Sequence, residues 1–141
     1  MAMDILIYTI DDQKFALNLT SVDRVILPVE MTPIHSPRKD VMGAINIHGD
    51  VIPVINMRLL LNIPMKEMDL NDHFILCHMD HSRVALWVDS VKMVREAIEK
   101  ELIPAQEVMP ELDAVEYVLK DDEQITLLID LEKLLHYENK K

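Results

Sequence analysis

Glycine is nearly missing from this chain: 2 in 141 residues, where ordinary usage gives about ten. Gly43 and Gly49 fit the spacing of no P-loop, dinucleotide-binding fingerprint or nucleophile elbow, which excludes those chemistries. Cysteine is reduced to Cys77 alone, so no intramolecular disulfide forms and a reducing compartment is expected. Basic residues are few, with 14 Lys plus Arg against 25 Asp plus Glu and a net charge of −11. No Lys/Arg cluster forms a patch, and Lys140 and Lys141 read as a solvated tail. Phosphate backbones and anionic membrane surfaces demand the opposite field, so no nucleic acid is expected as a partner. The N-terminus lacks a basic segment and turns acidic at once, against a signal peptide. No apolar run approaches the roughly 18 residues that span a bilayer. A cytoplasmic protein without direct membrane insertion is expected, and protein partners are the class left open.

What is present begins where the glycines are. The stretch reads Gly43-Ala-Ile-Asn-Ile-His48-Gly49-Asp-Val-Ile-Pro-Val-Ile-Asn-Met-Arg58-Leu-Leu-Leu61. Gly49 divides two apolar runs, as a tight hairpin turn does. Gly43 precedes the first run, where the chain bends or another backbone comes close. Pro53 has no ladder donor and predicts an edge strand or a bulge.

This pattern returns later. Residues 51–61 align with Ile125-Thr-Leu-Leu-Ile-Asp130-Leu-Glu-Lys-Leu-Leu135 at an offset of 74. Ala16-Leu-Asn-Leu-Thr-Ser-Val22-Asp-Arg-Val25 aligns with Ala85-Leu-Trp-Val-Asp-Ser-Val91-Lys-Met-Val94 at an offset of 69. Two echoes in the same order imply two similar half-units, about 1–62 and 70–136, too long a period for solenoids or propellers. The polar connector 62–72, with Pro64, is the expected boundary between them. Short apolar runs separated by turns, with Asp11-Asp12, Asp80-His81-Ser82 and Asp121-Asp122-Glu123 at hairpin tips, give a mostly β protein of barrel or sandwich type. Val91, Val94, Ile98 and Leu102 fall at helical spacing, but the repeat makes 91–94 a strand like 22–25. Half of the residues are hydrophobic, enough for one domain to bury a core without metals or disulfides.

Chemistry is hard to find. His73, Cys77, His78 and His81 lie close together, but on a strand His73 and Cys77 stand about 13 Å apart at the usual rise, with His78 on the other face. No metal site and no cofactor are expected. Cys77 reads as a small core residue, the ten methionines as core filling, and the acidic pairs as solvated turns. No catalytic residue is identified.

Residues about 4–136 resemble the CheW family, adaptors that couple chemoreceptors to the histidine kinase CheA. The resemblance rests on Ala16-Leu-Asn-Leu-Thr-Ser-Val22, Thr32-Pro-Ile34 with Pro37, and the whole Gly43 to Arg58 stretch. Leu86-Trp-Val88-Asp89-Ser-Val91 and Leu127-Leu-Ile-Asp130-Leu-Glu-Lys-Leu-Leu135 complete it. It implies two small five-stranded β-barrel subdomains packed around a shared core, in a single domain over 1–141. It also implies no enzyme activity and a monomer in isolation. Its partners would be the regulatory domain of a CheA-type histidine kinase and the cytoplasmic tip of a chemoreceptor. The partner-binding residues it implies are Val22, Arg24, Gly43, Asn46, His48, Gly49, Val88 and Val91.

Some positions depart from the family pattern. His48 stands where Arg is usual, Arg24 where Glu is frequent, and His35 where Pro is common. The usual Glu–Arg pair near the receptor groove is therefore not available, and a fitting receptor is expected to present an acidic residue. Two other readings stay open. One is the same kind of adaptor in a non-motility or pilus-type pathway. The other, from a different class, is a small ligand-binding or enzymatic β-barrel with an unrecognised site, which would need a pocket with convergent polar groups.

Overall fold

The computed structural model describes residues 2–36, 38–121 and 123–137. Pro37, Asp122, Lys140 and Lys141, all singled out above, lie outside the described residues. In chain order the strands are β1 (Ala2–Ile10), β2 (Gln13–Asn18), β3 (Val22–Ile26), β4 (Val41–Ile47) and β5 (Asp50–Asn56), followed by the short helix α1 (Met57–Leu60). Then come β6 (His73–Met79), β7 (Ser82–Val88), β8 (Ser90–Ile98), β9 (Leu102–Pro104), α2 (Ala105–Val108), β10 (Val115–Asp121), β11 (Gln124–Ile129) and α3 (Leu131–Tyr137). They form a five-stranded sheet, β3-β6-β7-β5-β4, and a six-stranded sheet, β8-β1-β2-β11-β10-β9. The mostly β architecture is as expected, with the short β9 added to one of the two sheets. The 91–94 stretch lies in β8, so the repeat, not the helical spacing, identified its state correctly.

The hairpins follow from local chemistry. Asp11 and Asp12 close β1 to β2 with φ of 51° and 67°, and His48 and Gly49 close β4 to β5 with φ of 52° and 91°. Two central residues at positive φ make the tight turn whose twist matches the strands, and Asp, His and Gly tolerate it best. Pro53 is not on an edge strand, because β5 lies between β4 and β7. Its partner Ala44 sends both backbone groups to Thr32, at 2.8 Å each. That makes 44–53 a non-hydrogen-bonded pair, so the missing N–H of Pro53 faces away from β4. Pairing with β7 begins only at Val54, and the proline leaves no ladder bond unmade.

The two sequence echoes coincide with equivalent strand pairings. Val54 lies opposite Ala85 between the parallel strands β5 and β7, and Leu128 lies opposite Ala16 between β11 and β2. Offsets of 74 and 69 carry the first pair onto the second. A bulge between Val41 and Gly43 in β4 recurs between Val115 and Tyr117 in β10. The half-units at 1–62 and 70–136 are nevertheless not the compact units. These are Met1–Ser21 with Val91–Lys141, and Val22–Ser90, so the connector at 62–72 lies inside the second unit. The physical reason is edge pairing. Within one half, β2 and β5 are not neighbours; each finds its parallel partner in the other half, which removes two open edges.

Each unit has its own core, built at equivalent positions. In Val22–Ser90 it comprises Ile45, Ile52, Val54, Phe74, Leu76, Ala85 and Trp87. In the other unit Leu119, Leu128, Ile5, Ile7 and Ala16 occupy the positions of Ile45, Val54, Phe74, Leu76 and Ala85, joined by Ala97. Burying each large side chain contributes about 1.5–3 kcal/mol. Met57 is fully buried, whereas Met65, Met68 and Met93 are 46%, 38% and 54% exposed, so core filling describes only part of the methionines. Gly43 lies inside β4 rather than before it. A Cβ there would stand 2.6 Å from the Thr32 carbonyl oxygen and 2.7 Å from Met31 Cγ.

Residues 1–62 and 70–136, produced separately, should show no cooperative melting by circular dichroism, and mixing them should restore it. A fragment that melts cooperatively alone would contradict the exchanged pairing. Gly43→Ala should destabilise the protein by about 2–3 kcal/mol in urea unfolding, because the methyl group meets a backbone oxygen that cannot swing away. Gly49→Ala, with open space around the site but a positive φ, should cost about 1 kcal/mol.

Candidate partner-binding site

The β4–β5 turn unites three of the sequence candidates. Asn46 Oδ1 accepts a hydrogen bond from the Gly49 amide at 2.8 Å, and Asn46, His48 and Gly49 are all exposed. Val51, just beyond, is 74% exposed. A chain of charges runs from this turn across the sheet. Asp50 pairs with Arg83 at 2.8 Å, Arg83 approaches Asp23 at 3.4 Å, and Asp23 meets His78 Nδ1 at 2.6 Å. It links β5, β7, β3 and β6. Such solvent-facing pairs contribute about 0.2–1 kcal/mol each, so their value lies in fixing side-chain positions.

Val22 and Arg24 lie on β3, an edge strand. Val22 is half-buried opposite Cys77, and Arg24 is exposed opposite Leu76, with a bulge between them. The chain has five arginines. Four hold carboxylates: Arg38 with Asp40 at 2.6 Å, Arg58 with Asp89 at 2.7 Å, Arg83 with Asp50 at 2.8 Å and Arg95 with Glu101 at 3.1 Å. Arg24 has no ion pair among the described residues, and the neighbouring Asp23 is already engaged. Arg24 and His48 are not brought together by strand pairing: β3 and β4 are opposite ends of the sheet order.

Two candidates are interior. Val88 is 1% exposed, opposite His73 at the end of β7, and Gly43 is buried against Thr32. Both are interior positions of their strands. Val91 belongs to the other compact unit, half-buried at the start of β8, also an edge strand. Met93 and Val94 beside it are 54% and 52% exposed. The repeat places Val91 where Val22 stands, and Met93 where Arg24 stands.

Sequence reading missed two buried polar centres. Arg58, 6% exposed, donates from Nη1 to the Pro64 carbonyl at 2.8 Å and from Nη2 to Asp89 at 2.7 Å. Asp72, 1% exposed, accepts from Trp87 Nε1 at 2.9 Å, from the Asp69 amide at 2.9 Å and from Lys66 Nζ at 3.2 Å. One signal was available: a buried Trp needs an acceptor for its single N–H. No fixed spacing says which carboxylate supplies it.

Cys77 is held in an unreactive state. Burial, reinforced by the charge of Asp23, pushes the Cys77 thiol up to about 12, which leaves almost no thiolate to attack or to bind metal. Its thiol donates to the Ile75 carbonyl at 3.6 Å, while His78 turns to Asp23, so the His/Cys cluster does not converge. Among the described residues no three His, Cys, Asp or Glu side chains could hold a metal ion. Burial and the nearby Asp130 raise the Glu116 carboxyl, opposed by Lys133. Glu116 lines a cleft of about 200 Å³ with Gln106, Asp113 and Tyr117, below the roughly 300–1,000 Å³ of usual small-molecule sites. A larger hollow of about 570 Å³ at Ala2, Ile98, Glu99 and Lys100 is wide open. Among the described residues no helix is long and apolar enough to cross a membrane.

Comparison with known proteins agrees with this geometry. The chain is 26% identical over 132 residues to a chemotaxis protein CheW of Thermotoga maritima, covering 94% of this chain and 87% of that one. It is 25% identical over 136 residues to the chemotaxis protein CheW of Bacillus subtilis, covering 95% and 87%. The crystal structure of the scaffolding protein TtCheW from Thermoanaerobacter tengcongensis superposes with a TM-score of 0.86 at 24% identity, covering 95% of this chain and 92% of that one, and so shares the fold. With the CheW-like domain model matched from residue 4 to residue 139, the chain belongs to the CheW-like family.

Proposed function

We propose that this protein is a non-catalytic adaptor of a chemotaxis-type signalling pathway, coupling chemoreceptors to a CheA-type histidine kinase in the cytoplasm. The observation that carries the reading is the family match over residues 4–139. A second feature supports it. The repeat leaves one equivalent edge strand in each compact unit, β3 and β8, and has given them different chemistry. The same repeat position is an exposed arginine with no ion pair among the described residues on β3 and an exposed methionine on β8. Two similar edges with unlike side chains suit an adaptor that holds two different proteins. The partner-facing residues in this reading are Val22, Arg24, Asn46, His48, Gly49 and Val91. A small enzyme or ligand-binding barrel is not favoured, since the family match points to an adaptor and burial disfavours the Cys77 thiolate.

Purified protein should bind the regulatory domain of its cognate kinase, without metal or nucleotide, at roughly tens of micromolar or tighter, as transient interfaces do. No heat in calorimetry and no co-elution at that concentration would overturn the reading. Arg24→Glu should lower affinity for the receptor tip about tenfold with an unchanged melting temperature, because a desolvated arginine is a frequent interface hot spot. Lys39→Ala, also at an exposed position, serves as the control and should change nothing.

A further inference from the structure

Leu70 is 94% exposed, more than any other large hydrophobic side chain among the described residues, and it stands on an ordered loop. Residues 62–72 form no helix or strand, yet both ends and the middle are tied down. The Ile63 amide donates to the Arg58 carbonyl at 2.8 Å, and Pro64 O accepts from Arg58 Nη1 at 2.8 Å. Asn56 Nδ2 reaches Met65 Sδ at 3.3 Å. Lys66 Nζ and the Asp69 amide both bind Asp72, and the Asn71 amide binds Asp69 Oδ1 at 3.0 Å. The anchors Asn56, Arg58 and Asp72 are 1%, 6% and 1% exposed.

A loop fixed by buried polar anchors has already lost the freedom that binding would remove, which is the condition for tight contact at low entropic cost. What it presents is apolar: Leu70, with Met65 and Met68 at 46% and 38% exposure. Methionine adapts its shape to a partner's pocket, and exposed apolar side chains on a compact loop mark contact surfaces. The charges choose between occupants. Glu67 and Asp69 are exposed among the apolar residues, while Lys66 is neutralised by Asp72. With a net charge of −11, a second copy would meet like charge here. We propose that the 62–72 loop is a docking surface for a protein whose apolar pocket is rimmed by lysine or arginine. This goes beyond the adaptor reading and does not use the β3 or β8 edges.

The test replaces Leu70 with the photo-cross-linker p-benzoylphenylalanine in the full chain in its host cells and identifies captured proteins by mass spectrometry. Each captured protein is then purified and titrated with wild type, Leu70→Asp, Met68→Ser and Glu67→Lys. Leu70→Asp should weaken binding at least tenfold, and Met68→Ser and Glu67→Lys several-fold each. Wild-type affinity should fall with added salt, as screened charge pairs require. Melting temperatures should not move, because these side chains are exposed. Capture of no protein, capture of a second copy alone, or equal affinities across the variants would overturn the proposal. Loss with Leu70→Asp but no change with Glu67→Lys or with salt would overturn the basic rim. Normal kinase and receptor binding beside any of these failures would leave the adaptor reading standing.

Discussion

The parallel pairings of β5 with β7 and of β11 with β2 are the constraint on which the rest depends. Each joins strands from different halves of the repeat, so neither half can complete a sheet without the other. Parallel neighbours need a long connection, and exchange supplies it: β5 reaches β7 through α1, the 62–72 loop and β6. Hairpin edges that would otherwise offer templates for aggregation are used up inside the molecule. The outer strands are what remains, and one of them, β4, is covered in part by Thr32, which bonds both backbone groups of Ala44.

Exchange also explains why the 62–72 loop is so firmly anchored. A segment that carries the chain from α1 back to β6 fixes the register of the β5–β7 ladder through its two ends. At one end Asn56 caps α1 by accepting from the Arg58 amide at 2.9 Å. At the other, Asp72 immediately precedes β6 and takes the Trp87 N–H across the sheet. Buried charges of this kind stabilise little against apolar replacements, but removing one partner leaves a buried charge uncompensated, at about 3–5 kcal/mol. Arg58 and Asp72 therefore serve placement more than net stability. They hold the loop in one arrangement, and whatever the loop displays is displayed rigidly.

How much of this was legible in the sequence differs by kind of signal. Strand positions, hairpin turns and the repeat were visible because apolar alternation and turn chemistry are local. The 91–94 part of β8 came out correctly when helical spacing and repeat disagreed. Pro53 read as an edge or a bulge: its strand is central, and the bulge of this ladder lies at Val41–Gly43, next to the Ala44–Pro53 pair. Here Ala44 turns to Thr32 and no donor is needed. The exchange was not legible: offsets between 16–25 and 85–94 report likeness, and likeness carries no information about which strands pair. The candidate site divided similarly. Asn46, His48 and Gly49 read as a turn and form one. Val88 and Gly43, singled out by family resemblance, proved to be interior, because a motif records what the fold needs as well as what a partner touches.

The broken symmetry of the repeat is the more useful guide to function. Where both copies keep a residue's character, the fold is sufficient explanation: Ala16 and Ala85, Leu119 and Ile45, and Ile5 and Phe74 are all core. Where they diverge, folding alone does not account for the choice. Arg24 corresponds to Met93, Arg58 to Glu132 and Asp89 to Thr20, at the same offsets of 74 and 69. The Arg58–Asp89 pair thus exists in one copy only, and so does an arginine at the position of Arg24. A duplicated fold needs neither pair nor lone charge to close its sheets, as the second copy demonstrates. What distinguishes Val22–Ser90 from its counterpart is a set of polar placements, and those placements fix an edge strand, a turn and a loop toward solvent.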